Sequence, residues 1–397
     1  MTIHKERQPI MDASAKTNDY LAEQLNNDMR RAVMPVTVFV GIEVVIAFFG
    51  NLLVLYVFLF RYGHSNFRYF VLCLAFTDIT SAVTTMPGEI VTQLYWYVYP
   101  VRMVCKIKSF FNMFTVSSEA LCLLTIAVDR YRKVCHPFGW QIKEHVAKWL
   151  CVGIYCVGFV VSLPVAIFWG THNEIEKGNI TTTVCEKDQK FKNTDKPTRY
   201  SITIESILGV CLACMFLLYV LIARQVILHD RRQSKHEMPE RKRNENNRVD
   251  TCAEITSGST IQDTDTRDSA ASVNSETEMT IKHSAGRRRS GGIQRNTDNP
   301  ADRRDFYTKV KRKTLIMFVL TITFIVTTIL YLTLLSFIAH GILPSLTDTQ
   351  RAVYFFFFRL YFINHVINPI VYGVLDPQFR AARKSCRHRR PTGWFLV

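Results

Sequence analysis

Two carboxyl groups and an imidazole interrupt long apolar stretches of this sequence. Asp78, Glu119 and His365 each lie in a different stretch. Ionisable groups are costly to place in lipid, so each of them is a functional hypothesis. Clusters rich in oxygen suit hard cations or protons, while the alternative is a set of interhelical hydrogen bonds without an ion. The predicted pocket for a hard cation or protons comprises Asn51, Asp78, Glu119, Asn364, His365 and Asn368.

Seven apolar runs would have to position these groups. A helix needs about 20 mostly apolar residues to cross the hydrocarbon core of a bilayer, and seven runs are that long. The chain is 48% hydrophobic yet carries a net charge of +16, because apolar and charged residues occupy separate segments. The predicted fold class is therefore an all-α membrane protein with a seven-transmembrane helix bundle. Its predicted spans are 33–60, 69–95, 104–134, 147–169, 200–228, 313–340 and 351–375.

Lysine and arginine residues predict how the bundle is oriented. They concentrate after spans 1 and 3, before span 6 and after span 7, and such residues favour the cytoplasmic side. The tail 1–32 is then extracellular and the C-terminus cytoplasmic, as expected for a multi-pass protein of the plasma membrane. This topology and the attraction to anionic lipid explain the basic charge, so nucleic acid is not a predicted partner.

Two polar segments lie outside the spans on the predicted cytoplasmic side. Residues 229–307 are rich in polar residues and poor in aromatic ones, which predicts a disordered loop that interrupts the 33–375 membrane domain. Residues 376–397 are expected to begin with a short amphipathic helix on the membrane surface. Cys386 lies in this basic tail, which predicts a palmitoylation site.

Three residues mark the predicted extracellular side. Of the 11 cysteines, only Cys105 and Cys185 map to this oxidising side, so they are the expected disulfide pair. Asn179 opens the pattern Asn-Ile-Thr, an acceptor for N-glycosylation, in the same loop as Cys185. Both features agree with the orientation that the basic residues predict.

Several short motifs follow one another in order along the spans. Asp129-Arg130-Tyr131 ends span 3, and Asn368-Pro369 together with Tyr372 ends span 7. With the paired cysteines, this order resembles the rhodopsin-like (class A) family of G-protein-coupled receptors over about residues 33–386. The other matching positions are Gly50-Asn51 in span 1, the run from Leu74 to Asp78 in span 2 and Tyr219 in span 5.

The resemblance implies a receptor rather than an enzyme. It implies that Asp129 holds Arg130 at rest and that the released Arg130 faces a heterotrimeric G-protein, with receptor kinases and arrestin as further partners. A buried ion pair can act as such a latch, because loss of one partner costs about 3–5 kcal/mol. No cofactor is implied apart from a sodium ion. The implied G-protein switch consists of Asp129, Arg130, Tyr131, Tyr219, Asn368, Pro369 and Tyr372.

Three spans depart from the family pattern. Span 6 has Phe324, but then Thr328 and Leu330 where the family has an aromatic residue and a proline. Cys211 stands in place of the usual proline of span 5, and Tyr155 in place of the tryptophan of span 4. Without its proline, span 6 lacks the usual kink and one weak point of its backbone.

A further departure concerns the sodium pocket of the family. Glu119 replaces a small polar residue that the family places beside Asp78. Two carboxylates close together repel each other, so one of them is expected to hold a proton. This puts regulation by sodium in doubt and makes sensitivity to protons a hypothesis.

The predicted outer half of the bundle offers charged and amide side chains to a ligand. Amine receptors have an aspartate where this chain has Asn112, and span 7 contains no lysine for a retinal Schiff base. Mixed charges beside aromatic residues suit a short extracellular peptide, and the chain is similar in this respect to invertebrate neuropeptide receptors. The expected ligand-binding residues are Glu89, Gln93, Lys108, Asn112, Glu205 and Arg359.

Two other functions stay open. The missing landmarks of span 6 would also suit a non-signalling decoy or scaffold receptor. An ion or solute transporter would also place acids in mid-membrane, where Asp78 and Glu119 are predicted, but we find no internal repeat. An intramembrane enzyme is not predicted, because the spans contain no nucleophile–base pair and no metal-binding motif.

Overall fold

Helices dominate the architecture. The computed structural model describes residues 3–176, 180–256, 300–339, 341–342 and 345–388. Within these residues lie ten α-helices and one two-stranded sheet. They are α1 (Ile3–Phe60), α2 (Asn66–Val83), α3 (Thr85–Leu94), α4 (Arg102–Cys135), α5 (Glu144–Phe168), β1 (Trp169–Glu176), β2 (Ile180–Lys187), α6 (Lys196–Thr256), α7 (Pro300–Ala339), α8 (Asp348–Arg359), α9 (Ile363–Leu375) and α10 (Pro377–His388).

The chain divides into two compact units. The first comprises Met1–Gln225 with Thr308–Val397 and contains the helix bundle. The second is Val226–Tyr307, which holds the second part of α6 and the beginning of α7. Within it, the rings of His229 and Tyr307 stack with their centroids 4.2 Å apart. The predicted disordered loop 229–307 is thus helical as far as Thr256, and residues 257–299 lie outside the described part.

Six stretches of the described residues are long and apolar enough to cross a membrane. They are Lys16–Phe60, Asn66–Leu94, Arg102–Cys135, Glu144–Phe168, Lys196–Arg231 and Tyr307–Ile338. The seventh predicted span, 351–375, is divided between α8 and α9 by a 3-10 turn at Leu360–Phe362. Neither helix alone reaches the length of a crossing, which is why only six uninterrupted stretches stand out.

Proline positions explain one helix interruption and one carbonyl without its helical donor, neither of which hydropathy alone predicts. Span 2 is divided between α2 and α3 at Thr84, one turn before the backbone nitrogen of Pro87. A proline inside a helix removes one hydrogen bond and collides with the carbonyl four residues earlier. Pro369 likewise leaves the carbonyl of His365 without its helical donor, and the side-chain amide of Asn51 donates to that oxygen at 2.7 Å.

The first helix begins at Ile3, within the predicted extracellular tail 1–32. Its side-chain amides fasten it to neighbouring backbone. Asn18 donates to the carbonyl of Thr181 at 3.2 Å and accepts from its amide at 2.7 Å. Asn26 donates to the carbonyl of Leu94 at 3.1 Å and accepts from the amide of Tyr97 at 3.2 Å. These paired bonds give the polar segment before span 1 partners that favour helix over coil.

A glycine allows helices α1 and α9 to pack closely. A Cβ atom placed on Gly50 would lie 2.8 Å from Cγ of Pro369. That distance is well inside ordinary contact, and the proline ring cannot rotate away. Gly50 therefore sets the approach of α1 to α9 and keeps Asn51 within reach of the His365 carbonyl.

Replacing Gly50 by alanine is expected to destabilise the bundle. The added methyl group must push Pro369 aside, and overpacking of this kind costs about 1–3 kcal/mol. Gly41→Ala on the same helix is the matched control, because nothing lies within 4 Å of its added Cβ atom. Thermal unfolding of the two purified variants would test this. Equal midpoints for both would contradict the close contact.

A β-hairpin and a disulfide bond cover one end of the bundle. β1 and β2 pair antiparallel from Trp169 opposite Lys187 to Glu176 opposite Ile180. Cys185 on β2 is bonded to Cys105 at the start of α4, with Cα atoms 5.7 Å apart, as predicted. We call this end the disulfide side. Asn179, the predicted glycosylation site, lies outside the described residues.

The last helix lies at the opposite end, which we call the α10 side. Asp376 caps it by accepting from the backbone amides of Gln378 at 2.9 Å and Phe379 at 3.4 Å. Its second oxygen accepts from the hydroxyl of Tyr62 at 3.1 Å, and the ring of Phe379 is buried. The predicted short helix after span 7 is therefore present. Cys386 lies within it, but its side chain is outside the described part.

Candidate functional site

A buried ion pair closes the end of α4 on the α10 side. Arg130 donates through Nε to the carboxylate of Asp129 at 3.1 Å and through a second nitrogen to the same oxygen. Lys133 donates to Asp129 at 3.0 Å, and the amide of Asn66 donates to it at 3.4 Å. Both members of the pair are buried. Three neighbouring donors thus satisfy one carboxylate, which is the geometry of a closed latch.

The three tyrosines of the predicted switch do not join the ion pair. The hydroxyl of Tyr219 accepts from Thr321 on α7 at 3.3 Å. Tyr372 is fully buried, and its ring packs on Phe58 with centroids 5.6 Å apart. Tyr131 is half-exposed, with its hydroxyl 3.4 Å from the ring of His136. The tyrosines are therefore held by separate contacts that would have to change if they were to meet Arg130.

Sequence reasoning missed a second contact that holds α7 on the α10 side. The ammonium of Lys313 lies 5.0 Å from the ring centroid of Phe67 and 5.5 Å from that of Tyr62. A cation over aromatic faces is attracted by about 0.5–2 kcal/mol. No local signal predicts this contact, because Lys313 lies far along the chain from Tyr62 and Phe67.

The predicted polar pocket forms in the middle of the bundle around Asp78. Nδ1 of His365 lies 2.9 Å from one carboxylate oxygen of Asp78, and the amide of Asn368 donates to the other at 2.6 Å. Glu119 places a carboxylate oxygen 3.9 Å from the same His365 nitrogen. Asn51 reaches this cluster through the His365 carbonyl. Four helices thus contribute to one buried group of polar side chains.

Asn364 does not point to the same partners as Asn368, although the two are one turn apart. Its amide donates to the hydroxyl of Thr327 on α7 at 2.9 Å. Asn368 therefore belongs to the pocket, while Asn364 links α9 to α7 by a hydrogen bond. Their shared helical spacing predicted a common face, but the hydrogen-bonding directions diverge.

The pocket does not fit a sodium ion in this arrangement. Asp78, Glu119 and His365 each offer a ligand atom, and these atoms lie within 4.8 Å of one another. Both oxygens of Asp78 already have hydrogen-bonding partners, and one partner is a ring nitrogen. Sodium prefers oxygen ligands, so His365 would have to leave before the two carboxylates could share such an ion.

A second buried ionic cluster lies on the disulfide side. Glu89 on α3 forms two ion pairs. Its Oε1 lies 3.0 Å from Nζ of Lys108 on α4, and its Oε2 lies 2.6 Å from a terminal nitrogen of Arg359 on α8. Lys108 also donates to the hydroxyl of Thr92 at 3.1 Å. All three charged residues are buried. The structure thus brings together three of the six predicted ligand-binding residues from three helices.

The remaining predicted ligand-binding residues surround this cluster unevenly. Gln93 follows Glu89 by one helical turn and accepts from the hydroxyl of Thr37 at 2.7 Å. Asn112 accepts from the hydroxyl of Tyr361 at 3.2 Å. Glu205 is exposed and does not join the cluster. The structure thus joins Glu89, Lys108 and Arg359 directly, and ligand binding by the six residues stays a prediction.

Sequence reasoning also missed a buried carboxyl group in α1. Glu43 is 4% exposed, and among the described residues neither of its oxygens has a hydrogen-bonding partner. The sequence contains a signal for it, because an acid inside the apolar run 33–60 is a functional hypothesis for the same reason as Asp78.

Asp188 fixes the hairpin to the first turns of α4. It accepts hydrogen bonds from Arg102, from Lys106 at 3.1 Å and from the backbone amide of Lys190 at 3.2 Å. Burial opposes its charge, but the hydrogen bond from Arg102, together with those from Lys190 and Lys106, holds the pKa of the carboxyl at about 2. Asp188 is therefore an anion at physiological pH and anchors the lid of the disulfide side.

Comparison with known proteins decides the family. The profile of the seven-transmembrane receptors of the rhodopsin family matches residues 50–372, which is most of the chain. The chain belongs to this family. The receptor is therefore a multi-pass membrane protein, and its family consists of signalling receptors rather than enzymes.

The solved structure of squid rhodopsin has the same fold as this receptor. It superposes with a TM-score of 0.60 and covers 90% of this chain and 85% of that chain, at 16% sequence identity. The divided seventh crossing is thus accommodated in a seven-helix receptor bundle.

Curated relatives match shorter parts of the receptor. The C-X-C chemokine receptor type 1 of Mus musculus is 31% identical over 145 residues, which are 36% of this chain and 41% of that receptor. The neuromedin-K receptor of Oryctolagus cuniculus is 27% identical over 132 residues, 32% of this chain and 28% of that one. The 5-hydroxytryptamine receptor 1 of Drosophila melanogaster is 27% identical over 179 residues, which are 43% of this chain and 29% of that receptor. The matches span less than half the length of each relative.

Proposed function

We propose that the receptor converts the binding of a short extracellular peptide into activation of a heterotrimeric G-protein. The observation that carries this proposal is the buried pair of Asp129 and Arg130, held closed by Lys133 and Asn66. A buried charge that has one partner removed is strongly destabilised. Such a pair gives the bundle two alternative states that a ligand at the other end can bias.

The disulfide side faces the outside of the cell in this proposal, and the α10 side faces the cytoplasm. The disulfide bond needs an oxidising compartment. The α10 side carries the basic loops and tail, which favour the cytoplasmic leaflet. Receptor kinases and arrestin would then act on the long loop and the tail at this side.

A peptide is the ligand class that the disulfide side supports best. Its buried cluster holds charges of both signs, with Glu89 between Lys108 and Arg359, and aromatic rings lie beside it. A biogenic amine would need an acid near Asn112, but this residue is an amide that already accepts from Tyr361. Two of the relatives are named as receptors for chemokines and for neuromedin K, which agrees with a peptide ligand.

The mechanism is a shift of population between two packings of the bundle. Ligand contacts on the disulfide side would favour the packing in which the end of α7 on the α10 side moves outward. That movement would take Lys313 away from Phe67 and Tyr62 and would release Arg130 from Asp129. The freed guanidinium would then face the G-protein. Because residues 313–339 of α7 contain no proline, this part of the helix is expected to move as one piece.

In this proposal His365 occupies the place that a cation would take beside Asp78. We expect that signalling of the wild-type receptor does not change when sodium chloride replaces potassium chloride. His365→Ser removes the ring that contacts both carboxylates and leaves Asp78 with Asn368 as its partner, so sodium should then reduce signalling about threefold or more. His145→Ser, a histidine at the start of α5, controls for loss of any histidine. Sodium sensitivity of the wild type would contradict the assignment.

A peptide screen tests the proposed function most broadly. Cells expressing the receptor, or Arg130→Ala at the same surface density, would be exposed to peptide fractions and read by calcium and cyclic-nucleotide reporters. The proposal predicts responses in the wild type that are lost in Arg130→Ala. Responses that persist in Arg130→Ala would show that the latch residue is not the coupling element.

A non-signalling decoy or scaffold receptor is the second candidate. It is favoured by Thr328 and Leu330, which replace the aromatic residue and the proline expected in α7. A decoy would bind a peptide and raise its thermal stability, yet give no reporter response in the wild type. The same screen with a binding readout therefore separates the two functions.

A further inference from the structure

The cluster of Glu89, Lys108 and Arg359 has an unequal balance of charge. One carboxylate faces two cations, at 3.0 Å and 2.6 Å, so the buried group carries an excess of one positive charge. The side chains of Glu89, Lys108 and Arg359 are only 7%, 10% and 5% exposed. An excess charge in a poorly solvated place is costly unless a counter-charge joins it.

Two hydrogen-bond donors beside the cluster have no partner among the described residues. They are Nε of Arg359 and the amide nitrogen of Gln93, and both residues are at least nine-tenths buried. Oε2 of Glu89 also lacks a hydrogen bond, because it meets Arg359 at 2.6 Å as an ion pair without hydrogen-bonding geometry. Gln93 lies one helical turn beyond Glu89, so both face the same side of α3. Buried donors are normally satisfied, and those that are not indicate a missing acceptor. An unsatisfied Arg donor is especially costly, because it is part of a charge.

The chain makes room for this arrangement. A Cβ atom on Gly88 would lie 2.5 Å from Cγ of Lys108, so only glycine lets the lysine stem pass α3 and reach Glu89. The guanidinium of Arg359 lies 4.6 Å from the ring centroid of Phe358, and Tyr331 stacks on that ring. The cations are thus positioned by packing, and an apolar aromatic wall stands beside them.

We propose that this cluster is an anion-accepting subsite that binds a carboxylate of the ligand. The carboxylate would be held by Arg359 and Lys108, with the amide of Gln93 as a further donor, while Glu89 keeps the two cations in place. An arginine pairs with a carboxylate through two parallel bonds, and Nε is one of the nitrogens that such a bond uses. The aromatic wall of Phe358 and Tyr331 would accept an apolar side chain next to the acid. The subsite rests on the proposed function, because it is part of the pocket that the peptide would enter.

Small probes test the subsite without knowledge of the natural ligand. The full-length receptor, purified in detergent, would be heated in the presence of N-acetyl-phenylalanine or its C-terminal amide, which differ in the carboxylate alone. The acid should raise the midpoint of unfolding by roughly 2–4 °C at saturation, and the amide should not. N-acetyl-aspartate amide distinguishes a side-chain acid from a C-terminal one, and a shift with either acid supports the subsite.

Matched variants locate the effect. Arg359→Gln and Lys108→Gln should each abolish the shift that the acid produces. Lys106→Gln should retain it, because Lys106 lies two residues away but binds Asp188 instead. If Arg359→Gln does not fold, Arg359→Lys is the second test. It should raise the concentration of acid that gives a half-maximal shift at least fivefold. Equal shifts for acid and amide, no shift with any probe, or a shift that survives both glutamine variants would overturn the subsite.

The ligand-free protein offers an independent check. Lys108→Gln leaves Glu89 and Arg359 as a balanced pair, so the unfolding midpoint without probe should not fall. A large fall would mean that Lys108 is needed to neutralise the site, which contradicts an excess of positive charge. Because these readouts do not involve signalling, a failure here leaves G-protein activation to be judged by the peptide screen.

Discussion

Asp129→Asn should raise G-protein activation in the absence of any ligand at least about tenfold. The substitution removes the charge that holds Arg130 and Lys133, and leaves a buried guanidinium without its counter-charge. Breaking a buried ion pair costs about 3–5 kcal/mol, and about 1.4 kcal/mol is already a tenfold change in an equilibrium. The cost falls on the closed packing, so the open packing gains population. Nucleotide exchange on membranes with equal receptor density measures the effect.

Lys133→Gln is the matched control for this prediction. Lys133 binds the same carboxylate at 3.0 Å but is 27% exposed, so its contribution is screened by solvent. Its loss should raise activation by about threefold or less. If Asp129→Asn leaves the basal rate at the wild-type level while surface expression is normal, the pair does not restrain the receptor.

Removing the disulfide bond should have the largest effect on stability. It closes a loop with a sequence separation of 80 between Cys105 and Cys185. A loop of that length lowers the entropy of the unfolded chain enough to contribute about 4–5 kcal/mol. Cys105→Ser and Cys185→Ser should each lower the unfolding midpoint sharply and reduce the amount of receptor at the cell surface. The double variant should be no worse than either single variant, because both remove the same bond.

Cys156→Ser provides the control for the loss of any cysteine. Cys156 lies on α5, is exposed and has no disulfide partner. Its replacement should leave the midpoint almost unchanged. A double variant whose loss equals the sum of the two single losses would contradict the bond, as would a Cys156→Ser variant as unstable as Cys105→Ser.

Much of the bundle could be predicted, because hydropathy depends on composition along a single stretch. The spans follow from apolar runs, and the disulfide from the sidedness of Cys105 and Cys185. What hydropathy does not describe is local backbone chemistry. The interruption of span 2 depends on Pro87, and the helix before span 1 depends on amide bonds that Asn18 and Asn26 make with distant backbone.

The sequence predicted most of the residues that form the central pocket, but not the hydrogen bonds between them. Asp78, Glu119 and His365 are each conspicuous inside an apolar run, and the structure brings their side chains together. Which atoms meet depends on how helices rotate against one another. Helical spacing predicted that Asn364 and Asn368 share one face of the helix. In the structure α7 packs so that Asn364 donates a hydrogen bond to Thr327 instead. Lys313 and its aromatic partners were unpredictable for the same reason.

The central claim is that Arg130, restrained by Asp129, couples this receptor to a G-protein. The most direct measurement compares ligand-independent nucleotide exchange, over a panel of G-proteins, for Asp129→Asn and for the double variant Asp129→Asn with Arg130→Ala. We predict that the single variant accelerates exchange on at least one G-protein and that the double variant returns to the level of membranes without receptor. Exchange that is equally fast in the double variant, or absent for the single variant on every G-protein at normal surface density, would contradict the claim.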